Sequence, residues 1–299
     1  MTVKHRSIKF GFSFFAVAFA MTASGAVVAN AQVPPPGCPT MPMGPGGPGG
    51  APAGMPPQNP LMDNKVANAK PGEIRLMVTA AFMDPIEAVK AQAEKAIGRP
   101  IFVEYGSARG GLKDEILAGQ DFEVAVLLPD VNAQLFQQGK LAPGEHELAK
   151  VDVAIALRGD VNVDVSTPEA LKKTLLGASV VRYSPTGVAL PTVTKLLNDL
   201  GIADSIKDAN KRCAPPGPPS FAPPAPGEYE INLFPLSEVV RMKGMKNLGR
   251  VIAPFQVPEQ INAVIGAHAK DRAAAEALVK FLQSAALDTP IKNVGMYRD

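Results

Sequence analysis

"IFVEYGSARGGLKDEILAGQDFEVAVLL", from Ile101 to Leu128, decides how the rest of the chain is read. Ile101–Tyr105 is a short run of apolar and β-prone residues and reads as a strand. A turn of small residues follows, with a single cation, Arg109, inside it. The pattern then predicts a helix from about Gly111 to Ala118, stopped by Gly119. Glu123–Leu128 is the next strand. Strand, glycine-rich turn, helix and strand is the unit from which parallel sheets with helical faces are built.

The alternation extends in both directions. Glu73–Thr79 reads as a buried strand. Asp84 as N-cap, Pro85 at the first helical position and Glu87 form a capping box for a helix that stops at Gly98. Ile86, Val89, Ala93 and Ile97 share one face of it. "VNAQLFQQGK" is a short helix and Val151–Leu157 a strand. Thr167 and Pro168 open the helix "TPEALKKTLLG", Ser179–Tyr183 is a strand, and "SPTG" opens a helix through Leu190, Val193, Leu196, Leu197 and Leu200. Glu230–Phe234 is a strand, followed by a short helix near Ser237–Met242, apolar runs near Val251 and Ile261, and the terminal helix "DRAAAEALVKFLQSA". The expectation is an α/β fold of two mainly parallel sheets flanked by helices.

The N-terminus gives an address. Lys4, Arg6 and Lys9 precede a long apolar stretch that ends in small residues at Ala31, the pattern of a cleavable secretory signal over residues 1–31. A membrane anchor is the other reading; Ser13, Thr22, Ser24 and Gly25 dilute the stretch and no positive flank follows. Without those residues the chain keeps 27 basic and 28 acidic side chains, a net charge of −1. A near-neutral exported protein is not a nucleic-acid binder by bulk charge. Val33–Pro60 holds 11 prolines and 7 glycines. Such composition cannot bury a core, so residues 32–71 are expected to be an extended tail.

Cys38 and Cys213 both sit in proline-rich sequence. They pair in an oxidising compartment or remain free or intermolecular thiols; sequence leaves both open. Cys38, Met41, Met43 and Met55 could hold Cu(I) through sulfur, or the tail is simply a linker in which methionine is incidental. No enzyme is expected. "GSARGG" lacks the Walker and dinucleotide spacings, and neither His146 nor His268 has a ligand or nucleophile partner in sequence. Glu228, Glu230 and Glu238 read as surface acids. No cofactor and no metal site is predicted.

Three strands end in small-residue turns ahead of helices: "VTAAFMDP", "YGSARGG" and "YSPTG". Ligands of α/β sheets collect at such carboxyl ends. Free N–H groups of the turns, with the hydroxyls of Ser107, Ser184 and Thr186, would hold a small anion with little fixed charge. Each turn alone is equally an ordinary strand–helix connection. Arg109 either points into the cleft, where its fork suits phosphate, sulfate or a carboxylate, or points to solvent or pairs with Asp114 or Glu115.

The segments 106–144, 167–187 and 227–239 and the terminal "AEALVKFLQSAALDTPIKNVGM" resemble the molybdate-binding-protein-like family of extracellular solute-binding proteins. The resemblance implies a two-lobed type II periplasmic binding protein with the ligand in a cleft. One lobe would hold 72–150 with 258–299, the other 151–257, with crossovers near 151–159 and 249–257. It further implies a periplasmic monomer that delivers its solute to the permease of an ABC importer. The family's anion contacts would fall on Thr79, Ala80, Ala81, Ser107, Ala108, Arg109, Ser184, Thr186, Gly187 and near Phe234. Ala81, Arg109 and Phe234 depart from the family's hydroxyl donors. The expected ligand therefore widens from molybdate to other oxyanions and small carboxylates. The alternative function is that of a ligand-degenerate relative, acting in interaction or copper handling through the tail. "CAPPGPPSFAPPAPGEYE" also departs, since its prolines forbid a regular helix there.

Overall fold

A computed structural model describes residues 68–206 and 224–298. The expected signal and tail, both cysteines and most of the proline-rich stretch before Glu230 lie outside these residues.

β1 (Ile74–Thr79) is buried along its whole length, as a strand covered on both faces must be. It pairs in parallel with β2 (Ile101–Gly106) and β3 (Val124–Leu127). β9 (Glu259–Ile265) lies antiparallel between β3 and β4 (His146–Val151). The first sheet therefore has the order β2-β1-β3-β9-β4. The second has the order β6-β7-β5-β8, from β6 (Val180–Arg182), β7 (Glu230–Pro235), β5 (Val153–Arg158) and β8 (Lys246–Arg250).

The α/β class with two sheets stands, but the expected dominance of parallel pairing does not. Among the described residues three pairings are parallel and four antiparallel. The reason lies in how the chain changes sheets. β4 ends at Val151 and β5 begins at Val153, with only Asp152 between them. β9 likewise enters the first sheet from β8 without a helix. A strand that arrives without a crossover helix is not constrained to run parallel to its new neighbours.

Each sheet carries its own core. α1 (Met83–Ile97) and α8 (Arg272–Leu282) pack Ile86, Val89, Ala275 and Leu278 onto the first. α4 (Pro168–Gly177), α5 (Leu190–Asp199) and α6 (Ala203–Ile206) pack Leu171, Val193, Leu196 and Ile206 onto the second. On the opposite face of the second sheet, Ala154 and Ala156 lie under Leu236 and Val239 of α7 (Leu236–Val239), with Phe234 against them. α2 (Lys113–Leu117), α3 (Pro129–Gln137) and α9 (Asp288–Asn293) complete the first lobe.

Two local expectations are corrected. Asp84 does not cap α1: a turn of 3-10 geometry, Ala80–Phe82, runs straight into the helix and moves its start to Met83, with no side-chain cap. Glu230 is not a surface acid. It is 5 % exposed and lies 3.4 Å from both Arg158 and Arg182, two cations that offset the cost of burying its charge. Thr167 does cap α4, accepting the Ala170 N–H at 3.1 Å. Thr167→Ala is expected to lower stability by about 1 kcal/mol, read as a lower midpoint with an unchanged slope in urea unfolding.

Candidate functional site

The carboxyl ends of β1, β2, β6 and β7 each lead into a turn, and the turns meet in two pairs across the lobes. The first pair joins the turn after β2 to the turn after β6. Ser107 Oγ donates to the Thr186 carbonyl at 2.6 Å and lies 2.8 Å from the Thr186 hydroxyl. The Arg109 N–H donates to the same carbonyl at 3.1 Å. Gly110 permits this approach, and Gly187 lets the β6 turn close on itself. A Cβ on Gly110 would sit 3.0 Å from Thr186 Oγ1, and one on Gly187 would sit 2.7 Å from Ser184 Cβ. Val188, just beyond, is buried within the first lobe's core.

Arg109 neither points freely into a cleft nor pairs with Asp114 or Glu115. Its guanidinium bonds Asp130 at 2.7 Å, Glu259 at 3.1 Å and the Gly187 carbonyl at 2.9 Å. The two carboxylates come from the start of α3 and the start of β9; the carbonyl belongs to the other lobe. Burial works against the Arg109 charge, but its hydrogen bond to Asp130 and the charge of Glu259 outweigh it and raise its pKa. Burial pushes Glu259 up as well; Arg109 opposes the shift and the Asp130 charge adds to it.

The second pair joins the turn after β1 to α7. Arg241 reaches from the second lobe to the Ala80 carbonyl at 3.4 Å, Asp84 at 3.3 Å and the Met83 sulfur at 3.1 Å. α7 packs on the turn Ala80–Phe82. Glu238, expected as a surface acid, is partly buried here. Burial pushes its carboxyl up to about 7; Arg241 opposes the shift and Asp84 adds to it. Tyr105 donates to Glu87 at 2.5 Å, so Glu87 holds a strand residue instead of closing a capping box.

Of the expected site residues, Ser107, Arg109, Ser184, Thr186 and Gly187 are thus brought together. Thr79, Ala81 and Ala108 are buried in the walls of the turns, and Ala80 presents its carbonyl to Arg241. Phe234 stands apart, packed beside Ala154 and Ala156. Sequence reasoning missed Asp130, although Leu128-Pro129-Asp130 is itself a turn at the carboxyl end of a strand. It also missed Asp84 as an ion-pair partner, Arg241 and Glu259, for which no local pattern exists. A surface cavity of about 670 Å³ lies elsewhere, at the amino end of β1, lined by Lys70, Arg75, Arg99 and Asp121 among others.

Residues 74–297 match the family described as bacterial extracellular solute-binding protein. Solved structures of the same fold include the periplasmic molybdate-binding protein of Azotobacter vinelandii (17 % identity, TM-score 0.60, covering 76 % of this chain and 100 % of that one). A substrate-binding domain assigned to a molybdenum ABC transporter of Clostridium difficile is similar too (16 %, TM-score 0.55, 76 % and 99 %). So is the sulfate-binding protein SubI of Mycobacterium tuberculosis (14 %, TM-score 0.54, 75 % and 86 %).

Removing Arg109 strands Glu259, whose side chain is only 9 % exposed. Arg109→Ala is expected to destabilise the protein by roughly 3 kcal/mol, and adding Glu259→Gln should recover most of the loss in chemical denaturation. Glu238 gives a second test. An acid whose folded pKa lies above its unfolded value binds more protons when folded, so stability falls as pH rises from its ordinary 4.5 to about 7. The slope from this group cannot exceed about 1.4 kcal/mol per pH unit. Melting temperature should drop across that window in the wild type, and Glu238→Gln should flatten the drop.

Proposed function

The chain belongs to the bacterial extracellular solute-binding protein family, and from that premise we propose that it captures a small anion between its lobes for an ABC importer. The ligand is a molybdate-like oxyanion, another oxyanion or a small carboxylate. The protein works in the periplasm as a monomer, exported by its N-terminal signal, and presents the solute to the membrane permease. Enzymatic chemistry is not part of this role.

The observation that carries the reading is the meeting of the β2 and β6 turns. It brings the Ser107 hydroxyl and the Arg109 N–H to one point, the Thr186 carbonyl, with the Thr186 hydroxyl 2.8 Å from Ser107 Oγ. Uncharged donors of this kind hold an oxyanion without a fixed counter-charge. These donors bond across the lobes to the Thr186 carbonyl. A ligand oxygen takes the place of that acceptor when the lobes hinge apart and close on it. Arg109 is then not the anchor of the anion; it positions the β2 turn from behind, through Asp130 and Glu259.

The test is thermal unfolding of the exported protein with molybdate, tungstate, sulfate, phosphate and small carboxylates. A true ligand at a hundred times its dissociation constant adds about 2.7 kcal/mol of stability. Stabilisation by one of these anions, lost in Ser107→Ala, is the expected result. No stabilisation by any of them overturns the anion assignment.

A further inference from the structure

Three buried side-chain atoms among the described residues have no hydrogen-bond partner: Asn132 Oδ1, Asn232 Nδ2 and Ser237 Oγ. Such groups are rare in folded proteins and call for an explanation, because an unpaired buried polar atom costs about 1–3 kcal/mol. Asn132 is half satisfied, since its amide nitrogen donates to Glu145 at 3.2 Å. Asn232 lies within the second sheet, paired in register with Arg182 and Ala156, three residues before β7 ends. Ser237 differs in place. It is 2 % exposed and sits in α7, the short element after β7 that packs on the turn Ala80–Phe82 of the other lobe.

A serine in a helical turn normally satisfies itself by donating to a carbonyl one turn back. Ser237 does not. Ser107 and Thr186, at the other pair of turns, are already bonded to each other. Ser237 is therefore a buried hydroxyl beside the lobe junction that is left without a partner.

We propose that Ser237 is a ligand-binding residue, whose hydroxyl donates to an oxygen of the bound anion from the second lobe, opposite the turn Ala80–Phe82. This rests on the solute-binding reading above and deepens it. The ligand class it selects is one that offers acceptor oxygens, as a tetrahedral oxyanion does. The assignment also gives the second lobe a hydroxyl donor near β7, where Phe234 supplies none.

The test compares the exported wild-type protein with Ser237→Ala and Ser107→Ala, using isothermal titration with the anion that stabilises the wild type best among molybdate, tungstate, sulfate and phosphate. Removing an unpartnered hydroxyl should leave the melting temperature of the unliganded protein equal to or above that of the wild type. Affinity should fall at least tenfold. This opposite movement of stability and affinity is not produced by a residue whose role is structural. Unchanged affinity in Ser237→Ala, while Ser107→Ala loses binding, overturns the assignment and leaves the anion reading in place. A lowered melting temperature with unchanged affinity overturns it as well, since the hydroxyl then serves the fold. If none of the four anions binds the wild type, the anion reading fails and the assignment falls with it.

Discussion

The Thr186 carbonyl accepts from both the Ser107 hydroxyl and the Arg109 N–H, and the pairing of the β2 and β6 turns is built on that acceptor. It lies in a turn of the second lobe, while both donors lie in a turn of the first. The approach is close at Gly110, where a side chain would press on Thr186. It needs a β2 turn that does not sag. Arg109 supplies this, because its three partners come from α3, β9 and the opposite lobe. A charge with three separate anchors fixes the turn's position more firmly than a turn sequence can, since each bond to an ionised group is stronger than a neutral one.

The charges around the junction shape what can enter. Arg109 faces two carboxylates, and Arg241 faces Asp84 with Glu238 beside it. Both arginines are therefore neutralised within the protein. The junction carries no surplus positive charge from these arginines, so under the anion proposal recognition has to come from directed donors. Burial raises the Glu238 carboxyl to about 7, which on that proposal limits the negative charge at the junction below that pH. Discrimination by donors favours ligands whose oxygens match the donor positions over ligands that are merely charged.

The fold was legible in the sequence where one face or both faces of an element are buried. β1, β2, β3 and β7, with α4, α5 and α8, follow from apolar runs and caps such as Thr167. β8 (Lys246–Arg250) was not legible. Four of its five residues are exposed, so it carries no apolar pattern and joins the sheet edge by pairing with β5. β4 was hidden for a related reason, since His146 and Glu147 break its apolar run. The direction of pairing was misjudged because hydrophobic pattern reports burial, not polarity of the ladder. Asp84 failed as a cap because the preceding turn, Ala80–Phe82, already had helical sense and left no extended residue to cap from.

The candidate site shows a sharper division. The turns themselves could be found, because small residues after a strand are a local signal. The partners that give those turns their function are distant in sequence. Glu259 lies 150 residues from Arg109, and Arg241 lies 157 residues from Asp84. In one sequence such pairs leave no trace, since each residue on its own looks like an ordinary surface charge. Ser237 is harder still. Its significance is a missing bond, and a missing bond exists only once every neighbour has been placed. The residues that shape the turns are legible as motif. A buried hydroxyl without a partner is legible only as an unmet requirement of the folded chain.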